Sequence, residues 1–524
     1  MSEYDVVVVG AGNAALASAV SAREQGARVL VLEKAPREMR GGNTHWSGGL
    51  FRFAYGEPRD VQPLIPDAEA KHANFYDGIK AYSADDFHAD LMRVTNGRTD
   101  PVLSRVIVEN SRDTVFWMHS SGVEMEPAIS VAAVRKGDGF VWLRGLVVRA
   151  VHEGVGLSTS WFAACERLGV EVRYGHAALG LVLDERGRAA GVKVRDPEGI
   201  RTIKAGAVIL GCGGFEANAQ MRTQHIGPLL GEAKVRGTPY NQGDGLRMAL
   251  DSGAMPWGQW SGCHATPISA DWGDFAPREM TDRSNRLSYL YGVMINRAGQ
   301  RFVDEGENTQ LMTYAKFGRA ILAQPGAKAY QIFDSQTVQL LEPRYATSKP
   351  ITADTLEALV EKLDIENKVA ALATLREYNE AARSGGPFDP TRLDGLSTRG
   401  LALEKTNWAV PLAKPPFVAY SATGGITFTF GGLRINERAE VIGTDWRPIP
   451  GLYACGEMVG GLYYDNYPAG TGLVAGAVFG RIAGRHAALR TPPMASQPHA
   501  RAPATTPTLA VADAASTMGE GWVP

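Results

Sequence analysis

The chain has 524 residues, 44% of them hydrophobic and 21% charged, and a net charge of −2. That length exceeds one simple core and predicts two or three domains. The near-neutral balance removes the electrostatic case for a nucleic-acid or anionic-membrane partner. Cys165, Cys212, Cys263 and Cys455 are scattered, without a Cys-x-x-Cys pair. Structural zinc, iron–sulfur and a disulfide framework are therefore not expected, and no metal site is predicted. A strand begins by residue 4 and no apolar run reaches spanning length. A cytoplasmic chain without a signal peptide or stable membrane insertion is expected.

Tyr4-Asp5-Val6-Val7-Val8-Val9 is a continuous apolar run that enters Gly10-Ala11-Gly12-Asn13-Ala14-Ala15. It reads as a buried strand, a turn that only glycine fits and a small-residue helix over residues 14–25. Gly26 closes the helix, and residues 28–32 form the next strand, followed by Glu33 and Lys34. In this βαβ layout Gly10 makes the tight turn and Gly12 admits backbone close to a pyrophosphate. Ala15 still allows close helix–strand packing. The helix start at Asn13 and Ala14 turns amides toward phosphate. Glu33, 23 residues after Gly10, suits the two hydroxyls of an adenosine ribose.

Further along, Gly41-Gly42-Asn43-Thr44 and Ser47-Gly48-Gly49 make a loop able to pass over a pyrophosphate and the edge of a flavin. Between residues 170 and 212 short strands alternate with turns at Asp184-Glu185-Arg186-Gly187 and Asp196-Pro197-Glu198-Gly199. A strand over 207–210 and the turn Gly211-Cys212-Gly213-Gly214 follow, which sets Gly213 beside the first βαβ unit. Residues 254–417 change character, with tryptophans, a dense polar stretch and helical patterns over 352–363 and 366–382. They read as an inserted cap, leaving 1–253 and 418–488 as the dinucleotide domain. In Gly451-Leu452-Tyr453-Ala454-Cys455-Gly456-Glu457 the carboxylate of Glu457 can reach a ribityl hydroxyl. Gly470-Thr471-Gly472-Leu473 opens a small-residue helix over 472–489. Its amides suit the flavin N1–C2=O region, where negative charge develops on reduction. Residues 489–524 are rich in Pro, Ala, Thr and Ser without periodicity and are expected to be a disordered tail. The glycine signals together predict bound FAD. An NAD(P)-only dehydrogenase and a flavin-binding protein without its own catalysis are the alternatives.

These motifs resemble the flavoprotein family of fumarate reductase and succinate dehydrogenase. The likeness is strongest to its soluble tricarballylate dehydrogenase-like branch, with features of 3-ketosteroid Δ1-dehydrogenases. It rests on Gly10 to Ala15, Gly41 to Thr44, Ile209-Leu210-Gly211-Cys212-Gly213-Gly214-Phe215-Glu216-Ala217-Asn218 and Tyr240-Asn241-Gln242-Gly243-Asp244-Gly245. It continues through Trp260-Ser261-Gly262-Cys263-His264, Arg301-Phe302-Val303-Asp304-Glu305-Gly306, Gly425-Ile426-Thr427-Phe428-Thr429-Phe430-Gly431-Gly432 and the Glu457 strand. The resemblance covers residues 4–488. It implies an α/β fold, a Rossmann-like FAD-binding domain of the GR2 type with an inserted α+β cap. It also implies hydride transfer between flavin N5 and a carbon next to a carbonyl or carboxylate.

Three expected polycarboxylate contacts depart from that family. No arginine follows Phe302-Val303-Asp304-Glu305 through Gln310, Phe428 stands where a substrate-binding histidine is expected, and Tyr467 replaces an arginine. Tyr467 before Gly470 resembles instead the ketosteroid dehydrogenase arrangement, in which a tyrosine hydroxyl and a backbone amide polarise a ketone. His264 matches a substrate-binding histidine, Tyr314 is a candidate acid/base, and Arg319 is a candidate carboxylate holder or a solvated helix residue. His45 is out of register with the histidine that bonds covalently to FAD in succinate dehydrogenase, so non-covalent FAD is expected. The expected activity is an FAD-dependent dehydrogenase (desaturase) that introduces a C=C bond α,β to a ketone or carboxylate of a small substrate. Electrons would pass to an external acceptor. A tricarballylate dehydrogenase or a fumarate-reductase-like ene-reductase is the alternative.

Overall fold

The computed structural model describes residues 3–382 and 387–490. Tyr4–Val9 lies in an eight-stranded sheet, parallel to Val29–Glu33 on one side and to Gly199–Leu210 on the other. Val6, Val7, Val8 and Val9 are buried, as a strand covered on both faces requires. Glu171–Tyr174 extends the sheet beyond Val29–Glu33, and Pro448–Ala454 extends it beyond Gly199–Leu210. Ala177–Leu183 and Ala189–Asp196 pair antiparallel off Gly199–Leu210 as the expected meander. The chain thus adopts the α/β architecture read from its sequence.

Helix Asn13–Glu24 packs against Thr471–Arg490, and small residues set their spacing. A Cβ at Gly480 would come within 2.4 Å of the Ala14 carbonyl oxygen, and one at Gly484 within 2.2 Å of that of Ser18. Alanine at either position would drive the helices apart. The close approach lets Asn13 Nδ2 donate to the Leu473 carbonyl at 2.8 Å, which ties the first glycine turn to the last helix. Of the tail expected over 489–524, residues 489 and 490 finish that helix and the rest lie outside the described residues.

A second sheet is built around Phe417–Leu433, which pairs antiparallel with Pro256–Ser269, Ala329–Phe333 and Ile351–Ala353. The division expected at 417/418 runs between the first two residues of this strand. Residues 418–433 therefore pair largely with the 254–417 segment, and at Gly425 and Ile426 with Lys234–Val235, in a sheet separate from the dinucleotide sheet. Long antiparallel pairing between segments about 160 residues apart leaves no local periodic signal for that membership. The register sets His264 opposite Phe428 and Cys263 opposite Thr429. Helix Gln310–Leu322 lies on this sheet, where a Cβ at Gly318 would meet the Ala265 carbonyl oxygen at 2.3 Å. The helix expected over 352–363 is shorter, Leu356–Lys362. The Thr355 hydroxyl caps it by accepting from the Ala358 N–H, and the preceding Ile351–Ala353 is a strand. Among the described residues no helix is long and apolar enough to cross a membrane.

Candidate active site

A large cavity opens at the carboxyl ends of the central strands, where Val9, Leu32 and Gly211 line it. Open α/β sheets bind ligands at this place. Glu33 ends its strand there, buried, with Oε1 accepting from the Ala35 N–H at 2.7 Å. Burial raises its carboxyl above the usual range, against the pull of the Ala35 amide and Lys34. Lys34 pairs with Asp244. The Asn13 amide donates to Thr44 Oγ1 at 2.8 Å, which joins the two glycine loops. A Cβ at Gly42 would touch only Gly12 Cα at 3.8 Å, and one at Gly472 only the Tyr467 ring at 3.6 Å. Side chains at these positions would fill the cavity and not press on protein. A cradle of bare backbone, a buried carboxylate at one strand end and a helix start at Thr471 together fit an FAD. Glu33 would hold its ribose, the Gly12 and Gly42 loops its pyrophosphate, and the Gly470–Leu473 turn its flavin ring.

Behind this cradle Glu457 and Glu216 face each other closely enough to share a hydrogen bond. Glu457 Oε1 accepts from the Thr429 N–H at 2.7 Å. Glu216 Oε1 accepts from Asn43 Nδ2 at 2.6 Å and from Asn241 Nδ2 at 2.5 Å. Burial, and then the Glu457 carboxylate, push Glu216 well above the usual carboxylate range. One proton held between the two carboxyls satisfies this arrangement.

At the reacting end Tyr314 Oη donates to Tyr467 Oη at 2.9 Å. The Gly470 N–H lies close enough to the Tyr467 hydroxyl to hold down its pKa, while burial as the larger cause raises it. Tyr314 is raised well above the ordinary value of 10 by burial and by Tyr467 beside it. The His264 ring stacks on Phe428 at 5.1 Å and meets Tyr314 edge-on at 4.7 Å. Burial, followed by the charge of Arg236, keeps His264 neutral. Under this aromatic wall runs a buried ion network. Arg236 Nη1 donates to Asp282 Oδ1 at 2.9 Å and to the Trp46 carbonyl at 2.6 Å, and Arg344 bridges Asp282 and Glu342.

The structure brings His264, Tyr314 and Tyr467 to the cavity, along with Gly10, Gly12, Asn13, Ala14, Glu33, Lys34, Gly42, Asn43, Thr44, Ser47, Gly48, Gly49, Gly213, Glu457, Gly470, Gly472 and Leu473. Ala15, Gly41 and Thr471 stand behind the lining. Ala15 sits under Gly211, and Gly41 lies against Ser158. Arg319 does not line the cavity. It lies five positions after Tyr314 on the same helix, a rotation of about 140°, and is half-buried near Cys263. Sequence reading did not single out Arg236, Asp282, Arg344 or Tyr463, all of which line the cavity. Glu216 and Asn241 sat inside quoted motifs without a role. The dense charge of Arg278-Glu279-Met280-Thr281-Asp282-Arg283 is the one local signal for part of this set.

The fold and the cavity define a flavin-dependent oxidoreductase. Residues 5–473 match the family model FAD_binding_2, described as FAD binding domain, and the chain belongs to that family, among the fumarate reductase and succinate dehydrogenase flavoproteins. It is 29% identical over 494 residues to fumarate reductase (cytochrome) of Shewanella frigidimarina, a match covering 92% of this chain and 77% of that protein. Among solved structures it is similar to an open conformation of a flavocytochrome c3 fumarate reductase. The TM-score is 0.67 at 25% identity, covering 93% of this chain and 78% of that one. The 3-ketosteroid Δ1-dehydrogenase of Sterolibacterium denitrificans shares the fold, with TM-score 0.70 at 20% identity over 93% and 99% of the two chains. The protein is an FAD-dependent oxidoreductase acting on carbon–carbon single or double bonds.

Proposed function

We propose that the chain desaturates a small ketone, removing a proton from the α-carbon and a hydride from the β-carbon to form an enone. The observation that carries this reading is the Tyr314–Tyr467 hydroxyl pair with the Gly470 amide beside it. Tyr467 Oη–H and the Gly470 N–H donate to the ketone oxygen and stabilise the negative charge that builds on it. Tyr314 takes the α-proton, and the electron pair of that C–H bond becomes the new C=C bond. Bound FAD supplies the hydride acceptor at N5. Phe428, Tyr463 and Leu311 wall the pocket and exclude water from the developing enolate.

The charge balance supports a ketone over a di- or tricarboxylate. Arg236 and Arg344, which line the cavity, are each already paired with a carboxylate of the protein, Asp282 for both and Glu342 for Arg344. One observation favours the reverse reaction as a second reading. Burial keeps both tyrosines protonated, which is the form that delivers a proton to an enone, and the Shewanella frigidimarina relative is named a reductase. His45 points out of the cavity toward the Arg278 carbonyl, so the FAD is proposed to be non-covalent. These 524 residues carry no Cys-x-x-Cys-His haem motif, and the acceptor of the electrons is proposed to lie outside them. Anaerobic addition of saturated ketones, succinate or tricarballylate to the purified protein tests the reading. Bleaching of the flavin by a ketone alone is the expected result, and bleaching by tricarballylate alone would overturn it.

A further inference from the structure

Directly behind the glycine loop lies a second cleft, separate from the cofactor cavity. Thr44 lines the cavity while the next residue, His45, lines the cleft. One wall carries Arg37 and Arg40, another Ser158 and Thr159 from helix Glu153–Arg167, and a third Arg278.

Among the described residues several arginines packed into the protein face a carboxylate: Arg236 has Asp282, Arg301 has Glu305 and Arg344 has Asp282, while Arg222 and Arg286 donate to backbone carbonyls. Among the described residues none of Arg37, Arg40 and Arg278 is in an ion pair. Arg40 is held by the Phe162 ring at 4.3 Å and by the Tyr174 hydroxyl at 3.1 Å. Arg278 rests on the Trp46 ring at 5.4 Å, and its Nη2 donates to the Arg40 carbonyl at 2.8 Å. Among the described residues its Nη1 is buried without a partner. The Ser158 hydroxyl has no protein partner among the described residues either. The acids nearby, Glu38 on the rim and Glu279, are exposed. Burial, and then Arg278, push the His45 imidazole down to about 4, so it adds no charge of its own. Burial and Arg40 likewise lower Arg278.

Guanidinium groups held in place by rings and a carbonyl, with donors left unpaired, form a receptor that lacks its anion. We propose that this cleft binds the phosphate group of a small molecule, gripped by Arg40 and Arg278 with Ser158 and Thr159 closing the far side. Donors converge from three separate elements, which suits a tetrahedral oxyanion better than a planar carboxylate satisfied by one fork. The phosphate would also tie Arg278 to the loop before Gly41. Four residues after Arg278 stands Asp282, which holds Arg236 and Arg344 at the cofactor cavity. Occupancy of the cleft would therefore steady a wall of the active site.

The test is calorimetric titration of the FAD-loaded protein with inorganic phosphate and with glycerol phosphate, at constant ionic strength in chloride. Saturable binding is expected, and tighter binding of glycerol phosphate would identify a phosphate-bearing metabolite over the free ion. Arg278→Gln should weaken binding at least ten-fold, and Glu38→Gln, an exposed change, should tighten it several-fold. The flavin absorbance should be the same in both variants. Hydrogen exchange at amides 278–282 should slow with phosphate and not with chloride. Absence of saturable binding in the wild-type protein, or an affinity moved by neither substitution, would overturn the proposal.

Discussion

Tyr467→Phe deletes one oxygen from a buried pair and tests the ketone reading most directly. Tyr467 is 8% exposed and Tyr314 is 7% exposed, so water cannot replace the lost hydroxyl. Removing one donor of an oxyanion-type pair costs about 2.7–4 kcal/mol of transition-state stabilisation, roughly 10²- to 10³-fold in rate. The Gly470 amide remains, so the loss should stay within that range and not become complete. The Tyr314 hydroxyl, left without its acceptor, should cost at most about 1–3 kcal/mol of stability. Tyr463→Phe is the matched control. Tyr463 walls the same pocket, but its buried hydroxyl has no partner among the described residues, so its removal should leave the rate within a few-fold and stability unchanged or improved. The assay is anaerobic stopped-flow reduction of the flavin by a ketone that bleaches the wild-type protein, with flavin content checked beforehand. Equal effects of the two substitutions would refute the assignment, because a wall made only of rings does not distinguish them.

Gly12→Val should abolish flavin binding while leaving the fold intact. Gly12 has an ordinary φ of −84° and a Cβ there faces the cavity, no nearer than 3.5 Å to any atom. Gly10→Ala should instead lower the melting temperature. Its Cβ would lie 2.6 Å from the Gly211 carbonyl oxygen at φ +101°, adding strain of about 1–3 kcal/mol to the overpacking. Asp282→Ala, which strips the shared carboxylate from Arg236 and Arg344, should cost about 3–5 kcal/mol in a denaturant titration. Glu216→Gln should stabilise the protein increasingly as pH rises above the usual glutamate value of 4.5. A carboxyl raised on folding contributes stability below its unfolded pKa and loses it as pH climbs toward the folded one, by up to about 1.4 kcal/mol per pH unit. A difference in melting temperature that does not vary with pH would contradict the shared proton. Ketone-driven bleaching should accelerate with pH across the alkaline range, because Tyr314 must lose its proton to act as a base and burial holds that proton on. Enone-driven reoxidation should be flat over the same range.

The cofactor half of this site was legible because each of its parts is local. A strand, a glycine turn and a small-residue helix are written in consecutive residues from Tyr4 to Glu24. Glu33 ends the apolar strand Val29–Glu33, and Glu457 stands in the turn Gly456–Met458 just after the strand Pro448–Ala454. The reacting half is spread over the chain. Tyr314 and Tyr467 are 153 positions apart, and Asp282 meets Arg344 across 62. His264 reaches Phe428 through a register that contains two irregularities, one of them at His264 itself. A shift of one residue there would turn the histidine to the opposite face of the sheet, and nothing in the period of 256–269 or 417–433 fixes it. The same reasoning applies to the strand Phe417–Leu433, which the expected division at 417/418 cuts, and to Arg319. In both cases the face is set by a partner far away in sequence. The missing arginines of the polycarboxylate pattern acquire a physical meaning only with Asp282 in view. The cavity does contain guanidinium groups, but each is paired with a carboxylate of the protein, and on the proposed reading Tyr467 and Gly470 serve a neutral carbonyl instead.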